Sequence, residues 1–553
     1  MVIQDRKARK RISALYGINK ESLEGDNKLL SAKCENGTFI GREKNGVITY
    51  RGIPYAKSPV GNLRWKRPVP PDADDRVFEA FYNGPSPIQS QWPTETASYY
   101  HQSEDCLYLN IWTASKNIDK KSAVMVFFHG GAYGWGGTID PLYDGYNFIE
   151  RHKDIVLVTV GYRTGLLGFV DFSMLPGGEE YPDAPNLGIL DQIESLRWVK
   201  KNISAFGGDP DNVTIFGESA GGGTVSLLPI IDEAKGLFKR VIAESGSVAL
   251  TFSKKECANF TRKLVEASGF FSVKDLAALS EKEIMAINEK VNNYNNFPQR
   301  DGKLIPIDPY AAYASGMTKD IDMIMGTNAN EMNYWIGELG GIVAYRFGIP
   351  VKFENDLTTF SRKDRARANR FIKKQKGYTL WRITEFYNEM MFRLPAIRQI
   401  ELHEKNGGKG YMYYWNIPST IFLRKACHAV ELAYVFNNVE ETIYTGEPAD
   451  KATAEMVGDM WVQFAKTGSP EIEGLSWPEY SDKRETLIIE KKPHVGLVLE
   501  EQRKLLYPLL KYIINASSNN IVFDVPFVKK AVLKTSILVI AATLILMASK
   551  DDL

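Results

Sequence analysis

The chain of 553 residues reads as an α/β protein with a mostly parallel central sheet and helices on both faces. Three observations predict this. Ala123–Phe128 (AVMVFF) is a continuous apolar run and Ile155–Val160 (IVLVTV) a nearly continuous, β-branched one, as expected for strands covered on both faces. Strand and helix patterns alternate from there to Phe216, which is the signature of a parallel sheet. Finally, Val213–Phe216 runs into Gly217-Glu218-Ser219-Ala220-Gly221. A strand, a sharp turn of small residues and an immediate helix put Ser219 at the apex of a G-x-S-x-G elbow.

Taken in order, Met1 to about Ser31 is a polar extension, basic at first. It is either partly ordered or a patch that touches anionic lipid. Gly37–Gly41 and Val47–Tyr50 are expected to pair as a hairpin around Asn45-Gly46, a strong turn dipeptide. Ser103–Ile111 leads into a central strand, and His129-Gly130-Gly131-Ala132 closes the next. Beyond the elbow, Arg240–Ser247 and Met323–Gly326 read as strands. Ser253 to about Asn295 reads as amphipathic helix, Arg362–Lys376 as a solvated basic helical face, and Trp381–Glu404 as one long helix. Tyr411–Trp415 is a strand, and Met456–Lys466 is a helix stopped by Gly468 and Pro470. Three segments result: an extension (1–31), a catalytic-size domain (32–515) with a cap-like helical insertion over roughly residues 250 to 400, and a tail (516–553).

Composition narrows the function classes. A net charge of +1 gives no footprint for nucleic acid or a strongly charged partner. Cys34, Cys106, Cys257 and Cys427 lack metal-ligand spacing, and no metal or cofactor is expected. A serine is a weak nucleophile until a base within hydrogen-bond reach, itself oriented by an acid, activates it. With a nucleophile elbow the chain order is nucleophile, acid, base, so the base lies among His403, His428 and His494.

Asn186–Gln192, Leu196–Val199, Asn202-Ile203, Phe206–Pro210 and the elbow, together with Arg51–Ala56, Pro59–Trp65 and Ser103–Ile111, closely resemble the type-B carboxylesterase family of the α/β-hydrolase fold. That group includes cholinesterases and bacterial p-nitrobenzyl esterases. The resemblance spans roughly Asn36 to Pro478. It implies a Ser219–Glu331–His428 triad, with Glu331 presented by the loop after Met323–Gly326 and His428 in the family's base segment, Ala426–Phe436. A methionine, Met332, stands where the family has glycine. The resemblance also implies an oxyanion hole of the Gly131, Ala132 and Ala220 amides, a structural His129, and Ser245 and Glu218 beside the triad. Arg64 and Glu104 are expected to form a buried ion pair.

Secreted relatives close a disulfide at the position of Cys106, but its partner region here, Gly84–Gln89, has no cysteine. Free thiols and a reducing compartment follow, as does a protein that is not secreted, since no secretory signal follows the basic N-terminus. Trp92, Tyr133, Trp135 and Trp415 either line an aromatic pocket or belong to the core. The short stretch from Gln89 to Cys106 gives choline specificity little support.

The tail carries Lys529, Lys530 and Lys534 before an uncharged run, Thr535–Ser549. Extended back to Ala531, it reaches the ~20 residues of a bilayer span. It is read as a membrane anchor that leaves the enzyme on the cytoplasmic side, or as a helix docked on the domain or on a second copy. The resemblance implies a cofactor-free serine carboxylesterase acting on small-molecule esters. A lipase or amidase at a membrane surface is the alternative within the fold, and a catalytically silent scaffold or adhesion protein is the alternative outside it.

Overall fold

A computed structural model describes residues 17, 19–21, 30–91, 96–291, 297–337 and 341–512. Trp92, most of the N-terminal extension and the whole 516–553 tail lie outside the described residues.

Fourteen strands are present among these residues. They are β1 (Ser31–Cys34), β2 (Asn36–Ile40), β3 (Arg42–Lys44), β4 (Val47–Pro54), β5 (Asp74–Glu79), β6 (Tyr108–Thr113), β7 (Ser122–Phe128), β8 (Ile155–Val160), β9 (Gly208–Glu218), β10 (Arg240–Glu244), β11 (Asp322–Asn328), β12 (Gly410–Trp415), β13 (Thr486–Ile489) and β14 (His494–Gly496). Eleven form one sheet in the order β14-β13-β12-β11-β10-β9-β7-β8-β6-β4-β3, and β1, β2 and β5 form a second, smaller one. From β8 across to β13 every neighbouring pair is parallel. Antiparallel strands complete both ends. Every residue of β7 and β8 is buried, as their largely apolar sequences require.

Strand alternation divides the interior into two cores. Val124, Val126, Ile215, Val241 and Met325 face one way and meet Ile189, Ile193 and Val199 of the Leu187–Asn202 helix. Met125, Phe127, Phe216, Ile242 and Tyr413 face the other way and meet Trp461 and Phe464 of the Lys451–Thr467 helix. A side-chain period of two accounts for this separation. All four cysteines are buried and unbridged. Among the described residues no helix is long and apolar enough to cross a membrane.

One expectation is corrected. Asn45 and Gly46 do turn a hairpin, both at positive φ, but its first strand is Arg42–Lys44, in register with Val47–Thr49. The two-residue turn dictates that register, and Asn36–Ile40 instead joins β1 and β5. The helices of the region around 250 to 400 lie on both sides of strand β11, at Lys254–Ser268 and Glu281–Val291 before it and in a helical run from Gly341 to Lys405 after it.

Buried ion pairs pin the connections. Arg64 Nε donates to Glu104 Oε2 at 2.6 Å, forming the expected pair, and its Nη1 reaches the Ala277 carbonyl at 2.9 Å. Arg163, just after β8, holds Asp191 in a fork: Nε donates to Oδ2 at 2.8 Å and Nη2 to Oδ1 at 2.6 Å. Both residues are almost fully buried. Removing one partner leaves a buried uncompensated charge. Asp191→Ala is therefore expected to destabilise the fold by about 3–5 kcal/mol in denaturant unfolding. Lys200→Gln, at an exposed pair with Asp211, is expected to change stability by no more than about 0.5 kcal/mol.

Candidate active site

Strand β9 ends at Glu218 and the Ala220–Leu227 helix begins two residues later. Ser219 between them takes φ 57° and ψ −117°, a backbone geometry that non-glycine residues adopt only when their surroundings impose it. Here the turn is clamped: the Ser219 amide donates to the Glu244 carbonyl at 2.8 Å, and the Gly223 amide to the Ser219 carbonyl at 2.8 Å. Gly221 makes the turn sterically feasible, since a Cβ there would lie 1.9 Å from the Phe128 carbonyl oxygen. Ser219 is half-buried while its neighbours Glu218 and Ala220 are buried.

Glu331 is fully buried and held from three directions. Its Oε1 accepts from Ser245 Oγ at 2.7 Å and from the Asn328 amide at 2.7 Å. Its Oε2 meets His428 Nδ1 at 2.7 Å. Met332, the departure from the family pattern, has an ordinary φ of −63° and donates its amide to Asn388 Oδ1 at 2.9 Å, so the loop does not need glycine. The other ring nitrogen, His428 Nε2, lies 3.1 Å from Glu218 Oε1 and makes no well-aligned hydrogen bond among the described residues. Trp335 stacks on the imidazole at 5.2 Å between ring centroids, and Phe392 approaches it at 5.0 Å.

The loop after β7 packs directly on the elbow. A Cβ on Gly130 would sit 3.1 Å from Ser219 Cβ. Gly131, Ala132 and Tyr133 all have positive φ, and the Gly134 and Trp135 amides both turn inward onto the Gly131 carbonyl at 2.9 Å. Ala220 opens its helix, so its amide is one of those that have no acceptor within the helix. His129 stacks on Tyr162 at 4.4 Å, and its Nδ1 is bound to the Gly130 carbonyl at 2.8 Å. Burial pushes its imidazole down to about pH 4.

The remaining expectations divide. His403 is buried against Thr318 Oγ1 at 2.8 Å, and His494 lies in β14 at the sheet edge. Asp322 opens β11, at the end of the strand remote from Glu331. Trp415 is a core residue and not a pocket wall. It is fully buried, its ring lies 4.9 Å from Tyr434, and its Nε1 donates to the Ile417 carbonyl. Tyr133 is fully buried too, edge-on to Phe169 and Phe297. Trp135 is half-buried on the loop beside the elbow.

The sequence reading missed Trp335 and Phe392. Trp335 lies one helical turn beyond Glu331, a spacing that could have flagged it. Phe392 belongs to a π-helical turn, Asn388–Arg393, inside the Thr379–Lys405 run. The extra residue per turn rotates the helix face, which a period of 3.6 does not reveal.

Behind the histidine lies a row of polar side chains across four strands. Glu218, Glu244, Gly326 and Tyr413 are register neighbours on β9, β10, β11 and β12. Tyr413 crosses Gly326, where a Cβ would be 2.0 Å from its ring. Glu244 Oε1 accepts from Trp461 Nε1 at 2.7 Å, and Glu431 Oε2 accepts from Asn328 Nδ2. Glu244 Oε2, Glu431 Oε1 and Tyr413 Oη are buried without a protein partner among the described residues. Burial pushes the Glu244 carboxyl up to about 7. Burial, with Glu244 and Glu331 nearby, holds Glu431 well above the carboxylate range.

A parallel sheet with a serine elbow at a strand's carboxyl end, where the residue before the serine, Glu218, lies 3.1 Å from the histidine of a histidine–carboxylate pair, defines a hydrolase of the α/β class. The model of the carboxylesterase family matches residues 28–505, and the chain belongs to that family. It is 34% identical over 503 residues to the para-nitrobenzyl esterase of Bacillus subtilis (strain 168), covering 85% of this chain and 97% of that one. It is 32% identical over 496 residues to the human (Homo sapiens) cocaine esterase, covering 83% and 86%. Among solved structures, the carboxylesterase EST55 of Geobacillus stearothermophilus superposes with a TM-score of 0.78 at 31% identity, covering 86% of this chain and 100% of that one. The protein is a carboxylic ester hydrolase whose substrates are small-molecule esters.

The buried Glu244 generates a pH-dependent stability. Its carboxyl rises from 4.5 to about 7 on folding, so the folded state binds this proton more tightly than the unfolded chain. The burial has no titration cost below about pH 4.5 and reaches its full cost above pH 7. Glu244→Gln is expected to match the wild type near pH 4.5 and to exceed its stability by about 3 kcal/mol at pH 8, in denaturant unfolding at the two pH values.

Proposed function

We propose that Ser219 is the nucleophile of a serine carboxylesterase, His428 its general base and Glu331 the acid that orients the base. The observation that supports this most directly is the 2.7 Å bond from His428 Nδ1 to a Glu331 carboxylate that Ser245 and Asn328 already hold in place. With Nδ1 so engaged, Nε2 is the nitrogen available to take the Ser219 proton, and Glu331 stabilises the imidazolium that results. Hydrogen bonds at such sites tighten as substrate binds, and the Ser219 hydroxyl then attacks the ester carbonyl.

The amides of Gly131, Ala132 and Ala220 receive the oxyanion. Protonated His428 passes its proton to the leaving alcohol. Water, deprotonated by the same histidine, frees the acid and restores Ser219. Glu218, 3.1 Å from Nε2, places a carboxyl group on the side where the imidazolium forms. Trp335 and Phe392 hold the ring in plane and exclude water.

The segment beyond Asp524 is proposed as a single membrane anchor with the enzyme on the cytoplasmic side. Its support is the uncharged Thr535–Ser549 run behind three lysines.

Treatment with a fluorophosphonate is expected to label Ser219, as located by mass spectrometry after digestion, and to leave His428→Ala unlabelled. Ser219→Ala is expected to lower kcat by at least about 10⁴-fold without loss of fold, and unchanged turnover would refute the assignment. For the anchor, the full chain is expected in the membrane fraction after a high-salt wash and a chain ending near Asp524 in the soluble one. Equal solubility counts against it.

A further inference from the structure

The helix Arg362–Lys374 buries Asp364, Ala368 and Phe371 on one face. Its other face exposes Arg362, Lys363, Arg365, Arg370, Lys373 and Lys374, and Lys376 extends the row. Asp364 is the one acidic residue between Ser361 and Tyr378. It is withdrawn from the surface, bound to Ser361 Oγ at 2.7 Å, Tyr512 Oη at 2.9 Å and Lys511 Nζ at 2.8 Å. The outer face therefore presents cations with no counter-charge of its own.

Two observations beside this face indicate what it meets. Tyr378, two residues past Lys376, is 85% exposed. Lys425 lies 5.8 Å over the ring of Trp381 and joins to this region the loop that carries Phe422, itself 82% exposed. Aromatic side chains flanking a basic amphipathic helix suit the polar–apolar boundary of a bilayer. The last described residue, Tyr512, also lies here. Tyr512 stacks on Phe360 at 4.1 Å, and its hydroxyl accepts the Ser361 amide at 3.0 Å. The sequence from Ile513 onward, with its lysines and its uncharged run, starts from the end of this helix. A folded nucleic-acid partner is disfavoured by the net charge of +1 over the whole chain.

We propose that the outer face of Arg362–Lys374, with Tyr378 and Phe422, docks the catalytic domain on an anionic phospholipid surface. The contact is electrostatic and separate from any insertion of the tail. It selects lipid by headgroup charge, whereas an apolar segment inserts into neutral and anionic bilayers alike.

The test sediments the full chain with vesicles of phosphatidylcholine alone and of phosphatidylcholine with phosphatidylserine. The wild type is compared with a variant carrying Arg362→Gln, Lys363→Gln, Arg370→Gln and Lys374→Gln together. The wild type is expected to bind the anionic vesicles at least about tenfold better than the neutral ones, with the preference fading as salt is raised. The variant is expected to lose that preference, to bind neutral vesicles as the wild type does, and to keep its turnover of a soluble ester, which shows that it is folded. Binding to neutral vesicles reads the tail, and the fall in the ratio from wild type to variant reads the helix, because Lys529, Lys530 and Lys534 are the same in both, so one can fail without the other. A wild type with no preference, a variant that keeps it, or variant-sensitive binding to soluble heparin in place of vesicles would overturn the proposal.

Discussion

The Glu331 carboxylate is the point on which the site converges. Its three donors come from separate stretches of chain: Ser245 follows β10, the Asn328 amide ends β11, and His428 stands beyond β12. They meet because β10, β11 and β12 are parallel and in register, so their carboxyl ends lie in one line. In a low-dielectric interior a carboxylate with both oxygens directed at donors is rigid, and one with an oxygen left unpaired is costly to keep. The same line carries the Ser219 elbow one strand over on β9, whose amide is bonded to Glu244 on β10. Orientation of the histidine is therefore a property of strand register and not of one loop.

How much of this the sequence discloses depends on the range of the interaction. The elbow, the His129–Ala132 loop and the strands of the sheet centre are local patterns of residue size and apolarity; β7 and β8 emerge with nearly their observed limits, whereas of β9 only Val213–Phe216 carries the pattern. The Glu331 and His428 segments became legible through family resemblance. Neither residue has a local signature strong enough to stand alone, and His403 would have served as well on composition. The pairing of Arg42–Lys44 follows from the turn rule that governs register, although Phe39 and Ile40 in Gly37–Gly41 give that stretch the stronger strand pattern. Phe392 and Tyr413 escaped for a different reason. One depends on an extra residue in a helical turn, the other on a ring crossing a strand at Gly326, and both are settled by packing between elements distant in sequence.

The carboxylates around the histidine show the site's electrostatic character. Glu218 faces Nε2 and Glu331 faces Nδ1, so the ring lies between two acids, one for each nitrogen. Glu244 and Glu431, pushed toward their neutral forms by burial, add acidic groups without adding full charge. A site built this way favours an imidazolium transiently, while below about pH 7 burial holds Glu244 in its neutral form and lessens the repulsion between neighbouring acids.

The two rims of the large sheet bear on behaviour at high concentration. An open sheet exposes unpaired amides and carbonyls that can recruit strands from other molecules. Here β3 is three residues long, Arg-Glu-Lys, all exposed, and β14 is also three residues long. Neither rim offers the long, flat, apolar template that strand addition requires. An eleven-stranded sheet of this size is thus protected from edge-to-edge aggregation by the brevity of one border and the charge of the other, independently of anything at its catalytic centre.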